Sequence, residues 1–416
     1  MNTCPKRRRK RRKGDFFPVK LAPEVNIGTL GHVDHGKTTL VNALTGLWTD
    51  RHSEERKRGI TIRLGYADAT FYYCEKEKKY ANSAKCPSCF GECVPKRAVS
   101  FVDSPGHETL MATVLSGTAL MDGALLLIAA NEKCPKPQTA EHLKALDISG
   151  IKNVVIVQNK VDLVSEQRAK ESYEEIKRFV KGTVAESAPI IPISAAHGIN
   201  IDMLMEAIET HIPTPERDKG EPVFYVARSF DINKPGDDYR ELRGAVLGGS
   251  VVSGSFAVGD EIEITPGAPL AGAWKPLKTK IKGIVKFGER VNKAEPGGLA
   301  AIETSLDPAL AKSDGLAGNV MSLPGKFSAV SEIKLTPHLF DHVIGISGQE
   351  KVPPMRTGDT LMITCAISKT VGVVASAGKE VLVKVKIPVA ARKGDRLSLS
   401  KHIGGRWHLI GYGIVA

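Results

Sequence analysis

Val25-Asn26-Ile27-Gly28-Thr29-Leu30 runs directly into Gly31-His32-Val33-Asp34-His35-Gly36-Lys37-Thr38-Thr39. The first six residues read as a short apolar strand. From Gly31 the chain has the form G-x-x-x-x-G-K-T, a phosphate cradle when it lies between a strand and a helix. A helix is expected to begin at Lys37-Thr38 and to carry Leu40, Val41, Ala43 and Leu44. Gly31 and Gly36 permit backbone angles and close approach that a Cβ would prevent. Successive N–H groups of Asp34, His35 and Gly36, with those of the helix start through Thr39, would then face phosphate oxygens. Lys37 adds a point charge toward the β and γ phosphates, and Thr38 offers a hydroxyl to Mg²⁺, which prefers oxygen ligands.

Further strand-like runs stand at Ala98–Val102, Ala124–Ala130, Val154–Val157 and Ile190–Ile193. Helical patterns at His107–Leu120, Gln138–Leu146, Glu166–Val180 and Ile201–Ile212 separate them. Buried apolar strands alternating with amphipathic helices predict an α/β, doubly wound, mostly parallel sheet. A ligand belongs at the carboxyl ends of such strands. Past Ile212-Pro213-Thr214-Pro215-Glu216-Arg217-Asp218 the periodicity changes. Short strand-like runs (Val223–Ala227, Gly244–Leu247, Glu261–Ile264, Leu299–Ile302) alternate with Gly-Gly and Pro-Gly turns, the pattern of antiparallel β-barrels. The expected division is 1–22 a basic tail, 23–213 the α/β domain, 214–324 one barrel and 325–416 a second.

Three strand ends carry chemistry. Asp103-Ser104-Pro105-Gly106 follows the run Ala98–Val102: Asp103 can hold magnesium through a water, and the Gly106 N–H can reach a γ-phosphate only while that phosphate is present, which makes the loop a switch. Asn159-Lys160-Val161-Asp162 follows Val154–Val157. Asp162 can accept from guanine N1–H and N2–H₂, a donor pair adenine lacks. Asn159 can bridge base and phosphate loop, and the stem of Lys160 can cover the ring. Ser194-Ala195 can complete the base pocket. Together these residues imply a site for a guanine nucleotide with magnesium.

Charged residues make up 25% and apolar ones 42% of the 416 residues, ordinary for a globular chain of about two or three domains. Residues 1–20 carry no apolar run long enough for a secretion signal, and no stretch approaches the ~18 apolar residues of a membrane span, so the cytoplasm is the expected location. Net charge is +12, but residues 6–13, Lys-Arg-Arg-Arg-Lys-Arg-Arg-Lys, carry eight positive charges without a break. The body is only mildly basic. The run is either a solvated tail, a clamp for RNA phosphates or a targeting signal. Of seven cysteines, Cys74, Cys86, Cys89 and Cys93 lie close together, a clustering that suggests metal in a reducing compartment. Cys4, Cys134 and Cys365 are isolated and read as plain thiols.

The nucleotide strings resemble those of the translational GTPase family. Trp48-Thr49-Asp50-Arg51-His52-Ser53-Glu54-Glu55-Arg56-Lys57-Arg58-Gly59-Ile60-Thr61-Ile62 is similar to the first switch of the initiation factor 2 gamma-subunit family, and the archaeal form is the closer match. So are Asn131-Glu132-Lys133-Cys134-Pro135 with Pro137-Gln138-Thr139, Arg228 to Gly236, and Gly404-Gly405-Arg406-Trp407. The resemblance runs over residues 24–415. It implies a GTPase domain with two β-barrels, GTP and GDP as ligands, Mg²⁺, and hydrolysis to GDP and phosphate. It implies a heterotrimer with alpha and beta subunits, alpha on the middle barrel and beta on the GTPase domain. That complex would carry initiator methionyl-tRNA to the small ribosomal subunit in the GTP state and release it after hydrolysis. By the same resemblance Thr61 would reach magnesium, His107 would orient the attacking water, and Val33 with Ile60 would gate it. A second magnesium would touch Asp34 and the Gly59 carbonyl.

The archaeal family carries a zinc knuckle with cysteines at offsets 0, 3, 12 and 15. Cys74, Cys86 and Cys89 match offsets 0, 12 and 15, while the remaining position is Glu77. Three readings stand: a structural zinc whose fourth ligand is Glu77, a structural zinc whose fourth ligand is Cys93, or no metal; a structural zinc is expected. The nucleotide strings would equally suit an elongation-type aminoacyl-tRNA carrier, the GTPase subunit of sulfate adenylyltransferase, or a GTP-binding scaffold that does not hydrolyse.

Overall fold

The computed structural model describes residues 21–49, 63–107, 110–234, 236, 238, 240, 242–344 and 350–416. The basic run at 6–13 and Gly59, Ile60 and Thr61 of the first switch lie outside the described residues.

The first part of the chain is a seven-stranded sheet: β1 (Pro23–Gly31), β2 (Gly65–Cys74), β3 (Lys79–Ala81), β4 (Val94–Asp103), β5 (Gly123–Ala129), β6 (Val154–Asn159) and β7 (Ile190–Pro192). Their spatial order is β3-β2-β4-β1-β5-β6-β7. Pairings from β4 through β7 are parallel, and β2 runs antiparallel to β3 and β4. Helices α1 (Lys37–Thr45), α2 (Met111–Thr118), α3 (Pro137–Ser149), α4 (Glu166–Val180) and α5 (Ile201–His211) cover both faces.

Strand β5 shows why the fold is two-sided. All seven of its residues are buried. Leu126 and Ile128 join the apolar layer beneath α2, α3 and α4, while Leu125 and Leu127 join the layer with Leu40, Val41 and Leu44 of α1 and Leu204 and Ile208 of α5. Alternate side chains of a strand point to opposite faces, so a continuous apolar run is what a sheet covered twice requires. Helix α1 presents Leu40, Val41 and Leu44 at helical spacing and stops at Gly46, whose left-handed φ of 73° lets its N–H reach the Asn42 carbonyl.

Two elements differ from expectation. The helical pattern over 107–120 contracts to Met111–Thr118, because Ser104, Pro105 and Gly106 continue as loop and Leu120 closes a turn onto Gly117. Strand β2, with β3 behind it, extends the sheet where no strand was expected.

Beyond residue 220 two rings of six antiparallel strands follow. In the first, Glu261–Leu270, Val320–Ser322, Val223–Phe230, Val246–Ser253, Ala300–Thr304 and Ala273–Lys286 pair in that order, and the last closes on the first. In the second the order is Ala329–Leu339, Val381–Ala390, Ser368–Ser376, Thr360–Cys365, Arg396–Ile403 and Arg406–Val415, closed by pairing of the last with the first. Each ring encloses its own apolar core. Closure removes the exposed edges that an open sheet would leave.

The first ring is tied to the α/β part. Arg217 grips both carboxylate oxygens of Asp122 at 2.7 and 2.8 Å and donates to the Glu24 carbonyl at 2.6 Å. Asn26 Nδ2 donates to Ser250 Oγ at 3.1 Å.

Candidate functional site

Strands β1, β4 and β6 end on the same edge of the sheet, because Thr29 pairs with Asp103 and Ala129 with Asn159. That register brings Gly31, Asp103 and Asn159 together from three distant parts of the chain. Lys37, at the first turn of α1, is 7% exposed and folds back, its Nζ donating to the carbonyls of Gly31 at 3.0 Å and His32 at 2.7 Å. Burial lowers its pKa to about 8, while Asp103 and then Asp34 work to keep the ammonium charged. A buried ammonium of this kind gains most from a phosphate partner.

Asp103 is wholly buried. Its Oδ1 accepts from Thr29 Oγ1 at 2.8 Å, and its Oδ2 accepts from Thr38 Oγ1 at 2.8 Å and Thr49 Oγ1 at 2.6 Å. A carboxylate surrounded by hydroxyls, beside a lysine, is an all-oxygen donor set, and that chemistry fits magnesium rather than a softer metal. Gly106 lies against the phosphate loop: a Cβ there would collide with Lys37 Nζ and stand 2.9 Å from the Val33 nitrogen. His107, the next residue, is half-buried at this edge.

Asn159 joins two loops. Its Nδ2 donates to the His35 carbonyl at 2.9 Å and its Oδ1 accepts the Ala195 N–H at 3.0 Å. Gly36, with φ of +90°, passes so close that a Cβ would strike Asn159 Nδ2, so only glycine fits there. Lys160 takes a left-handed φ of 63°, which turns the chain into the short helical turn Val161–Leu163 that carries Asp162. The Ser194 hydroxyl, and His197 with Nε2 3.6 Å away, hold the Asp162 carboxyl below the usual carboxylate range. The acceptor is therefore ionised at neutral pH.

His35 and His32 stack edge to face at 5.3 Å. His35 Nδ1 faces the Leu127 carbonyl at 2.9 Å, and burial lowers its pKa to about 4, so the ring is neutral and Nδ1 is the donor. Asp34 has a left-handed φ of 59° and is exposed on the same loop. Thr39 is half-buried in the first turn of α1.

The second cluster lies on the hairpin beyond β2. The sulfurs of Cys74, Cys86 and Cys93 stand within 4.8 Å of one another, all three buried, and Cys74 Sγ is 3.5 Å from Cys89 Sγ. Four sulfurs about a zinc at ~2.3 Å stand ~3.8 Å apart, so the cluster has the right size. Glu77 is exposed on the turn between β2 and β3. Of the two candidates for the fourth position, Cys93 is the one inside the cluster. A hydrogen bond from the Cys89 backbone lowers the Cys86 thiol to about 7, and burial raises Cys93 to about 11.

Three residues of the site escaped the reading of the sequence. Thr29 carries no motif, but its place two residues before Gly31 on β1 sets it opposite Asp103. Thr49 and His142 are reached only by tertiary contact and leave no local signal.

These features define a P-loop GTPase followed by two barrels. Residues 22–214 match the model of the elongation factor Tu GTP binding domain, and residues 331–415 match that of initiation factor eIF2 gamma, C terminal. Translation initiation factor 2 subunit gamma of Methanocaldococcus jannaschii is 55% identical over 94% of this chain and 97% of its own. That of Archaeoglobus fulgidus is 55% identical over 96% of each. Among solved structures, bacterial selenocysteine-specific elongation factor EF-Sec aligns with a TM-score of 0.73 at 24% identity, over 95% of this chain and 58% of that one. Elongation factor SelB of Methanococcus maripaludis, bound to a GTP analogue, aligns with a TM-score of 0.70 at 21% identity, over 94% and 78%. The chain belongs to the translation initiation factor 2 gamma-subunit family, and is a translational GTPase that hydrolyses GTP. Among the described residues no helix is long and apolar enough to cross a membrane.

Proposed function

We propose that the chain is the nucleotide-controlled carrier of initiator methionyl-tRNA, holding it in the GTP state, bringing it to the small ribosomal subunit and releasing it after hydrolysis. The observation that carries this reading is the contact of Gly106 with Lys37 and the phosphate loop. Gly106 stands beside Lys37, so a γ-phosphate bound by Lys37 would lie next to the Gly106 peptide, and the segment continuing into His107 and α2 would respond to whether that phosphate is there.

The residues divide the work as follows. Lys37 and the loop N–H groups bind the phosphates. Asn159 fixes the phosphate loop against the base pocket, and the Asp162 carboxylate accepts from the guanine edge. Ser194 and Ala195 close that pocket. Thr38 and Asp103 would hold magnesium, with Thr61 joining in the GTP state; the ion supplies positive charge to the β and γ phosphates. A second magnesium would meet Asp34 and the Gly59 carbonyl. His107 orients the attacking water, gated by Val33 and Ile60. Cys74, Cys86, Cys89 and Cys93 would hold a structural zinc. Alpha and beta subunits complete the complex, alpha on the first barrel and beta on the GTPase domain, and it works in the cytoplasm.

Filter binding tests the carrier role. Initiator and elongator methionyl-tRNA are titrated against the purified chain with a non-hydrolysable GTP analogue and with GDP. Retention of initiator tRNA, stronger with the GTP analogue, is expected. Equal affinity for both tRNAs returns the elongation-type reading. No retention of either, with GTP turnover dependent on a sulfurylase partner, returns the sulfate-activating one.

A further inference from the structure

Strand β1 leaves the sheet at Gly31, and the phosphate loop starts with that peptide. The Gly31 N–H donates to Nδ1 of His142, 2.8 Å away on α3 and 111 residues further along the chain. The Gly31 carbonyl accepts Lys37 Nζ at 3.0 Å. The first residue of the loop is therefore gripped at both ends, by a ring nitrogen and by the lysine that faces the phosphates. His142 is 1% exposed. Burial, and then the nearby charge of Lys37, push its pKa down to about 3, so the ring is neutral and its lone pair remains available. A protonated imidazole has no acceptor to offer.

Helix α3 is held in place from its far side by the second barrel. Arg396 Nη1 donates to the Ile148 carbonyl at 3.1 Å, and Lys144 stands 5.2 Å from the centre of the Phe340 ring. Glu141, beside His142, faces His408 Nδ1 at 3.7 Å. The imidazole thus sits on a braced support.

We propose that His142 is a positioning residue for nucleotide binding: its Nδ1 fixes the Gly31 peptide, so that Lys37 and the loop N–H groups are aimed at the phosphates before the nucleotide arrives. Loss of the acceptor leaves a buried N–H without a partner and lets the loop sample other orientations. Binding suffers, while turnover of the bound nucleotide does not. The proposal rests on reading residues 31–38 as the phosphate loop, and the experiment separates the two.

Full-length chains carrying His142→Leu, His142→Asn or Lys37→Ala are titrated with fluorescent GDP and GTP analogues in magnesium, and GTP turnover is measured at saturation. Asparagine places an oxygen near the Nδ1 position; leucine keeps the bulk and removes the acceptor. Leucine is expected to weaken both nucleotides by about tenfold, with saturated turnover within about twofold, and asparagine to recover most of the affinity. Wild-type affinity in His142→Leu overturns the proposal, and so does equal loss in the leucine and asparagine chains, which marks a packing role. Should the leucine chain not fold, His142→Gln takes its place. Its oxygen lies near the Nε2 position, so it must weaken binding where asparagine spares it, and parity between them overturns the proposal. If Lys37→Ala binds nucleotide like the wild type, the phosphate-loop reading itself fails.

Discussion

At the scale of single residues, the site depends on which atoms can donate and which can only accept. Asp162 is kept ionised by its neighbours, so it presents acceptors alone. Asp162→Asn puts a donor where the guanine edge also donates. The chain is expected to lose GTP affinity by about 1–3 kcal/mol and to gain preference for xanthine nucleotides. Competition between the guanine and xanthine triphosphates measures it, and a retained guanine preference removes Asp162 from the base pocket. His107 makes the opposite kind of case. It lies next to the glycine that touches the phosphate loop, so its loss should spare binding and slow the chemistry. His107→Ala is expected to keep GTP affinity within about twofold and to slow single-turnover hydrolysis by about 10²–10⁴; unchanged hydrolysis takes it out of the mechanism.

At the scale of elements, what the sequence makes legible follows how each segment is buried. Strand β5 and the Val154–Val157 part of β6 are buried on both faces and are written as apolar runs, so they and the loops at their ends can be read directly. Strand β1 is buried from Val25 onward but mixes Asn26 and Thr29 into its apolar residues, and the glycine loop it enters marks it. Strand β2 is the sheet's antiparallel extension, with a mixed burial pattern and with Asp68 and Thr70 among its aromatics. Neither a strict alternation nor an apolar run marks it. Asp103 is legible from its place after a strand, but Thr49 and His142, which hold Asp103 and Gly31, are not, since 54 and 111 residues of chain separate each pair. The cysteine cluster is intermediate: four cysteines suggest a metal site in the sequence, and the fold sets Cys93, rather than Glu77, beside the other sulfurs. The hairpin turn sets Glu77 outward while Cys93, bonded through its N–H to the Ala84 carbonyl at 2.8 Å, returns beneath the 86–91 turn. Metal analysis of purified chains should find about one zinc in the wild type and in Glu77→Ala, and a substoichiometric amount after Cys93→Ser. Loss of zinc in Glu77→Ala with retention in Cys93→Ser would reverse the assignment.

Across the whole molecule, the α/β part and the two barrels meet around an open cleft of about 290 Å³ of mixed character, its charged lining supplied by Arg63, Arg228, Asp314 and Lys369 beside Leu64 and Ile367. Asp314 binds across the junction. Arg63 of the α/β part reaches Oδ2 at 2.8 Å, and Arg228 of the first barrel donates to Oδ1 at 2.9 Å, with the Ser229 N–H at 3.1 Å. Lys369 of the second barrel donates to Thr113 Oγ1 on α2 at 3.2 Å. Arg63 comes directly after the first-switch stretch in the sequence, and its ion pair joins the α/β part to the first barrel. The Asp314 carboxylate is 16% exposed and Arg63 is 42% exposed, so solvent screens part of the attraction. Removing the charge is expected to cost about 1–2 kcal/mol, less than breaking a fully buried pair. Asp314→Asn should lower the calorimetric melting temperature by a few degrees. Arg63→Ala added to it should cost less than it does in the wild type, because the partner is already gone. Additive losses in that double-mutant cycle, or an unchanged melt in Asp314→Asn, would show that this carboxylate does not hold the barrel to the nucleotide-binding part.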